Sequence, residues 1–155
     1  MTSTFDPAAF ENQIIDQGNE TVMTPVPEGE YRGFIKSVRV KAVTTQARGD
    51  VPVLEVIYQI DDETGELAKE MNRDEVTVRQ DVWLDVTENG ALAFGPNQNV
   101  GLGKLREAVS MNDPSRSFTF KQLEGAGPVL VTVTQNPSKN DASIIYNNVP
   151  RVIRA

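Results

Sequence analysis

The stretch Val76-Thr-Val-Arg-Gln-Asp-Val-Trp-Leu-Asp-Val86 decides the fold class, because apolar and polar residues alternate along it. Successive side chains of a β-strand point to opposite faces, so a period of two separates an inward from an outward set. The inward set is Val76, Val78, Val82, Leu84 and Val86, with Gln80 as the exception, and the outward set is Thr77, Arg79, Asp81, Trp83 and Asp85. The pattern predicts a half-buried strand.

Four further strands and one helix are predicted around this segment. The strands are predicted at residues 31–43, 53–60, 129–134 and 143–153, which are rich in Val, Ile and aromatic residues. Residues 100–111 carry apolar side chains at helical spacing and precede Asn112-Asp113-Pro114, which ends the helix. Three strands, a helix and two strands follow one another in the OB-fold, a small Greek-key barrel. The sequence therefore predicts an all-β fold with one helix, a five-stranded OB-like barrel over residues 31–155.

The segments outside the strands are predicted as an arm, loops and short helical turns. Residues 1–30 form the predicted N-terminal arm, in which Asp6-Pro7 is typical of a helix start, so a short helix is predicted over residues 7–15. Residues 66–75 are predicted as a loop or a weak helix, and residues 120–123 as a helical turn. The arm offers no apolar face large enough to fold alone.

The composition argues against an enzyme. The chain has no Cys and no His, which removes thiolate nucleophiles, imidazole metal ligands and the usual general base. The Gly-rich segment Asn99–Leu105 lacks the spacing of a phosphate loop, and Asp61–Glu66 lacks that of a calcium loop. There is no apolar run of the length of a membrane span and no signal-peptide pattern. We therefore expect a non-catalytic protein with no cofactor, no metal and no membrane segment.

The charge is segregated along the chain. The net charge is −7, yet the six carboxylates of residues 1–30 stand without a single Lys or Arg, and residues 61–90 hold ten carboxylates against three cations. Residues 31–60 and 91–155 each carry a net charge of +3. The acids are explained by solvation of exposed loops, although an acidic protein with segregated charge can still present a basic surface.

An OB barrel binds its ligands across strands two and three and between two loops, and this surface is the predicted site. The candidate residues are Tyr58 or Gln59, Arg79, Trp83, Arg48 and Lys139, with Arg32, Lys36 and Arg39 extending the site along the first strand. Single-stranded nucleic acid needs aromatic faces for its bases and cations for its phosphates. Arg79 and Trp83 lie four residues apart on one face, hence about 13 Å apart. The alternative is that Trp83 packs in the core or at its rim and that these residues form ordinary ladder pairs with Asp81 and Asp85.

Three short motifs resemble phage-encoded proteins of the DUF669 type. They are Val26-Pro-Glu-Gly-Glu-Tyr31, the Leu-x-x-Leu-Arg-Glu-Ala helix of residues 102–108, and Tyr146-Asn-Asn-Val149. The resemblance implies an OB-fold single-stranded DNA-binding protein that acts in phage replication and recombination in the host cytoplasm. Many phage single-strand binders end in an acidic tail, whereas this chain ends in the basic segment 149–155.

Two other functions remain open at this point. The first is a structural protein of the virion, a capsid cement or decoration subunit, in which the barrel is a spacer and the arm clamps the major capsid protein or another copy of the chain. The second is an inhibitor that mimics DNA with the carboxylates of residues 61–88.

Overall fold

The computed structural model describes residues 5–155, in which five antiparallel strands form one sheet. The strands are β1 (Gly29–Thr45), β2 (Gly49–Ile60), β3 (Thr77–Trp83), β4 (Val129–Pro137) and β5 (Ile145–Arg154). Their order across the sheet is β3-β2-β1-β4-β5. With a helix between β3 and β4, this order is that of the OB-fold. The predicted fold class, a small all-β OB-like barrel with an N-terminal arm, is confirmed.

β1 is long enough to pair with β4 through its first residues and with β2 through the rest. Residues 29–33 of β1 pair with β4 and residues 33–45 pair with β2, so Gly33 belongs to both ladders. A Cβ atom at Gly33 would collide with the backbone carbonyl oxygen of Gln59. Glycine is needed here because the two backbones approach so closely that no side chain fits.

The two edge strands, β3 and β5, face each other along a seam. Within residues 5–155 no backbone ladder joins them, and instead Gln80 Nε2 donates a hydrogen bond to the carbonyl oxygen of Val149 at 3.3 Å. The hydroxyl of Tyr58 donates to Gln80 Oε1 at 2.5 Å. Gln80, the polar exception on the inward face of β3, therefore links the interior to β5 and closes the barrel through its side chain.

The interior of the barrel is apolar. Val78, Val82 and Leu84 are at most 5% exposed, as the alternation predicted. Leu102 and Leu105, from the helix at Val100–Ala108, belong to the same apolar cluster. Among the described residues no polar or charged residue is classed as buried. Such a core holds the outward side chains of β3 on a rigid support. The alternation fails at Val86, which is 45% exposed, because β3 ends at Trp83 and the chain turns away.

The helices are short. They are α1 (Pro7–Glu11), α2 (Glu66–Met71) and α3 (Val100–Ala108), with a 3₁₀ turn at Phe120–Leu123. Asp6 caps α1 as predicted, its carboxylate accepting from the N–H of Ala8 at 3.1 Å. The helix ends before residue 15, and Ile14 and Ile15 are 87% and 81% exposed, so no packing surface extends it. The described chain thus has three α-helices, and α2 falls in the segment that was predicted as a loop or a weak helix.

The last residues of the predicted arm are anchored in the barrel. Gly29 and Glu30 already belong to β1 and pair with β4, so the arm ends before residue 29 rather than at residue 30. Glu28 accepts a hydrogen bond from the N–H of Gln135 at 2.9 Å. Val26 is only 3% exposed and belongs to the apolar core. Its N–H donates to Asn147 Oδ1 at 2.8 Å, and its carbonyl accepts from Gln135 Nε2 and Asn147 Nδ2, both at 2.9 Å. The segment around Val26 is therefore fixed to the β4–β5 hairpin.

Candidate nucleic-acid interface

The outward face of β3 presents a cation and an indole, as the sequence predicts. The Arg79 side chain is 60% exposed and Trp83 is 47% exposed. Trp83 lies opposite Val53 in the β2–β3 ladder, and Val53 is fully buried although it faces outward. Trp83 therefore has two roles, since one part of the indole covers Val53 while the other part is open to a ligand.

Tyr58 does not lie on this face. It is fully buried, and its burial raises the pKa of the phenol well above the ordinary value of 10.0. The expectation that Tyr58 stacks on a base is corrected, because the ring has no exposed surface. Its neighbour Gln59, the other candidate from the sequence, is half-buried, and the alternation of the strand places it on the outward side.

Carboxylates and cations alternate across the outward face of the first three strands. Glu55 Oε2 lies 3.1 Å from Lys41 Nζ and 3.3 Å from Arg39 Nη2, and Lys41 also contacts Asp81 at 3.0 Å. The bond from Lys41 holds the pKa of Glu55 below its usual value, and Asp81 followed by Glu55 raises the pKa of Lys41. Arg79 is held less closely, at 4.0 Å from Glu55 and 3.9 Å from Asp81. The two carboxylates are thus engaged by their neighbours, while Arg79 remains available.

The other predicted cations are spread over three places. Arg48, in the β1–β2 hairpin, lies 3.8 Å from Asp85 just beyond β3, so the hairpin approaches the Trp83 end of the face. Lys36 pairs with Glu75, which lies just before β3 at its other end. Arg32 is exposed on the part of β1 that pairs with β4, and it makes no ion pair within residues 5–155.

A groove runs beside β3, between this strand and the β4–β5 hairpin. It consists of two adjoining depressions of about 510 and 500 Å³. Both are lined by Arg79, Asn147 and Asn148. Trp83 and the carboxylate of Asp81 line the first depression, and Tyr146 and Lys139 line the second. The fold therefore brings together three of the predicted residues, Trp83, Arg79 and Lys139. We call this surface the β3–β5 groove.

Tyr146 lines the groove but was not among the site residues predicted from the sequence. It is 55% exposed at the start of β5, beside the exposed amide of Asn148. The available signal was an aromatic residue followed by two amides, Tyr146-Asn-Asn148, shortly after a polar hairpin loop. An exposed aromatic ring at such a position gives a base a second face on which to stack.

The comparisons with known proteins give no further guidance. No family model, no curated protein and no solved structure matches the chain. The relationship to DUF669-type proteins therefore stays a prediction. In the part of the chain that the structure describes, no helix is long and apolar enough to span a membrane, and no cluster of acidic side chains is suited to hold a metal ion.

Proposed function

We propose that the protein is a non-catalytic single-stranded DNA-binding protein and that the β3–β5 groove holds the DNA. The observation that supports this proposal is that two half-exposed aromatic rings, Trp83 and Tyr146, line one groove together with Arg79 and Lys139. Stacking on such rings contributes about 1–3 kcal/mol per base, and the cations neutralise phosphates.

The neighbouring carboxylates do not remove the cations of the groove. Glu55 and Asp81 are engaged by Arg39 and Lys41 at 3.0–3.3 Å, whereas Arg79 contacts them only at 3.9–4.0 Å. Exposed ion pairs contribute about 0–1 kcal/mol, so a phosphate can replace such a weak partner at small cost. Lys139 is exposed and makes no ion pair with any residue from 5 to 155. The groove therefore presents two cations, Arg79 and Lys139, that can bind phosphates.

The resemblance of the short motifs to DUF669-type proteins supports a role in phage replication and recombination. Such a role requires binding that tolerates any base sequence. Stacking meets this requirement because every base has a flat face, whereas reading a sequence needs hydrogen bonds to base edges.

The test is fluorescence titration with oligo-dT at about 50 mM salt. Trp83 is the only tryptophan, so quenching reports on the groove alone. We expect quenching that weakens with salt, with a slope of log K against log salt of about −0.7 for each phosphate neutralised. Arg79→Ala should weaken binding, while Arg116→Ala, at an 84% exposed side chain outside the groove, should not. Absence both of quenching and of a gel shift would refute the proposal.

A structural protein of the virion remains the second candidate, favoured by the exposed apolar residues of the arm. Phe10, Ile14 and Ile15 are 61–87% exposed, which suits a segment that packs against a neighbouring subunit. Mass spectrometry of purified particles distinguishes the two functions, because a cement or decoration subunit is present at stoichiometric copy number and a replication protein is not.

A further inference from the structure

A second basic cleft lies between α3 and β5. Its volume is about 740 Å³, and its cations are Lys104 from the helix and Arg151 and Arg154 from the strand. All three are exposed, and none forms an ion pair with a described residue. The one carboxylate in the lining is Glu107. The cleft therefore carries an excess of positive charge on a protein whose net charge is −7.

The helix and the strand that form the cleft are both anchored in the apolar core. Leu105, Ala108 and Val152 line the cleft and belong to the buried core, so the helix and the strand are fixed relative to each other. Arg154 Nη2 donates to the backbone carbonyl oxygen of Glu107 at 3.0 Å, which holds the guanidinium at the end of α3. A cation held in place in this way loses less conformational freedom when it binds an anion.

The cleft adjoins the β3–β5 groove. Gln80 and Pro150 line both the cleft and the Trp83 depression of the groove, so the two surfaces meet at the seam between β3 and β5. A chain that lies over Trp83 and Arg79 can therefore pass the seam and continue beside Arg151. No aromatic residue lines the cleft, so it can hold phosphates but cannot stack bases.

We propose that the α3–β5 cleft is an extension of the DNA path, in which Lys104, Arg151 and Arg154 bind the phosphates of the same strand that occupies the groove. This inference rests on the proposed function. A short oligonucleotide fills the groove alone and a longer one also reaches the cleft. The cleft should therefore add affinity and salt dependence only for the longer DNA, without any preference among bases.

The experiment compares oligo-dT of about 6 and about 16 nucleotides, lengths that span the site sizes known for OB-folds. Fluorescence anisotropy of labelled DNA measures the affinity of the wild type and of the triple variant Lys104→Ala, Arg151→Ala, Arg154→Ala. The matched control removes three exposed cations elsewhere, by Lys69→Ala, Arg116→Ala and Lys121→Ala. Thermal melting checks that all three proteins fold.

For the long oligonucleotide we expect the cleft variant to bind roughly tenfold more weakly at about 50 mM salt, with a salt slope smaller by about 2, because three phosphate contacts are lost. The short oligonucleotide should bind wild type and cleft variant equally, and the control variant should follow the wild type at both lengths. Equal affinity and slope of wild type and cleft variant for the long DNA would overturn this inference alone. Failure of the wild type to bind either length would overturn it together with the proposed function.

Discussion

Glu55 is the residue whose substitution tests most directly whether the outward face binds phosphate. Its carboxylate is 15% exposed and lies among Arg39, Lys41 and Arg79. Glu55→Gln removes one negative charge and keeps a side chain of the same shape that can still accept a hydrogen bond. Lys41 keeps its second partner, Asp81, at 3.0 Å, so we expect the protein to remain folded.

The magnitude follows from Coulomb's law. Arg79 Nη1 lies 4.0 Å from Glu55 Oε2, and a phosphate bound to Arg79 adds a hydrogen bond of about 3 Å, so the two anions stand about 7 Å apart. Their repulsion is about 0.6 kcal/mol at an effective dielectric constant of about 80 and about 2.4 kcal/mol at about 20. Screening at about 0.1 M salt roughly halves these energies. Removing the charge should therefore tighten DNA binding by about two- to eightfold.

The assay is anisotropy of labelled oligo-dT at about 0.1 M salt, with Glu63→Gln as the control. Glu63 lies in the exposed turn between β2 and α2, so this variant makes the same change in net charge away from the groove. We expect tighter binding by Glu55→Gln and wild-type affinity for Glu63→Gln. If Glu55→Gln remains folded and binds no more tightly than its control, the phosphate does not lie beside Arg79 and the proposed DNA path is wrong.

Three further substitutions test the remaining points. Trp83→Ala should lose about 1–3 kcal/mol of DNA affinity in anisotropy measurements, and it should also lower the melting temperature because Val53 loses its cover; unchanged affinity would contradict base stacking there. Burial raises the pKa of Tyr58 in the folded state above the value of 10.0 that it has in the unfolded chain. The neutral phenol therefore contributes its full stabilisation below pH 10, and this contribution is lost as the pH rises further. Denaturant titrations should then show wild-type stability falling by up to about 1.4 kcal/mol per pH unit relative to Tyr58→Phe, and parallel curves would refute this assignment. Gly33→Ala should destabilise the fold by about 1–3 kcal/mol through the clash with Gln59, which chemical denaturation measures; wild-type stability would show that β1 does not need glycine at this position.

The sequence by itself determined the class of fold and the orientation of β3. Its apolar and polar residues alternate, with Gln80 as the exception, so burying the apolar face leaves a single arrangement, with Arg79 and Trp83 outward. The order of strands and helix then limits the topology, because sequential strands tend to be neighbours in a sheet. Both features, the alternation in β3 and the order of the elements, can be read along the chain without knowing which distant segments contact each other.

Only the tertiary structure decided which way the residues of β2 face. Val53, Leu54, Val56, Ile57, Tyr58 and Ile60 form a run that is apolar on both faces. Such a run fits either orientation, and either Tyr58 or Gln59 was accordingly expected outside. The ladder with β3 places Val53 beside Trp83, which turns Tyr58 into the core and towards Gln80.

The groove is likewise a property of the folded chain alone. It joins Trp83 on β3 to Tyr146 on β5, strands far apart in sequence that share no ladder and meet through the Gln80 side chain. The depth of the groove and its residues depend on how far the two edge strands stay apart. That spacing depends on how strands and helix that are distant in sequence pack around one shared core, which no single segment encodes.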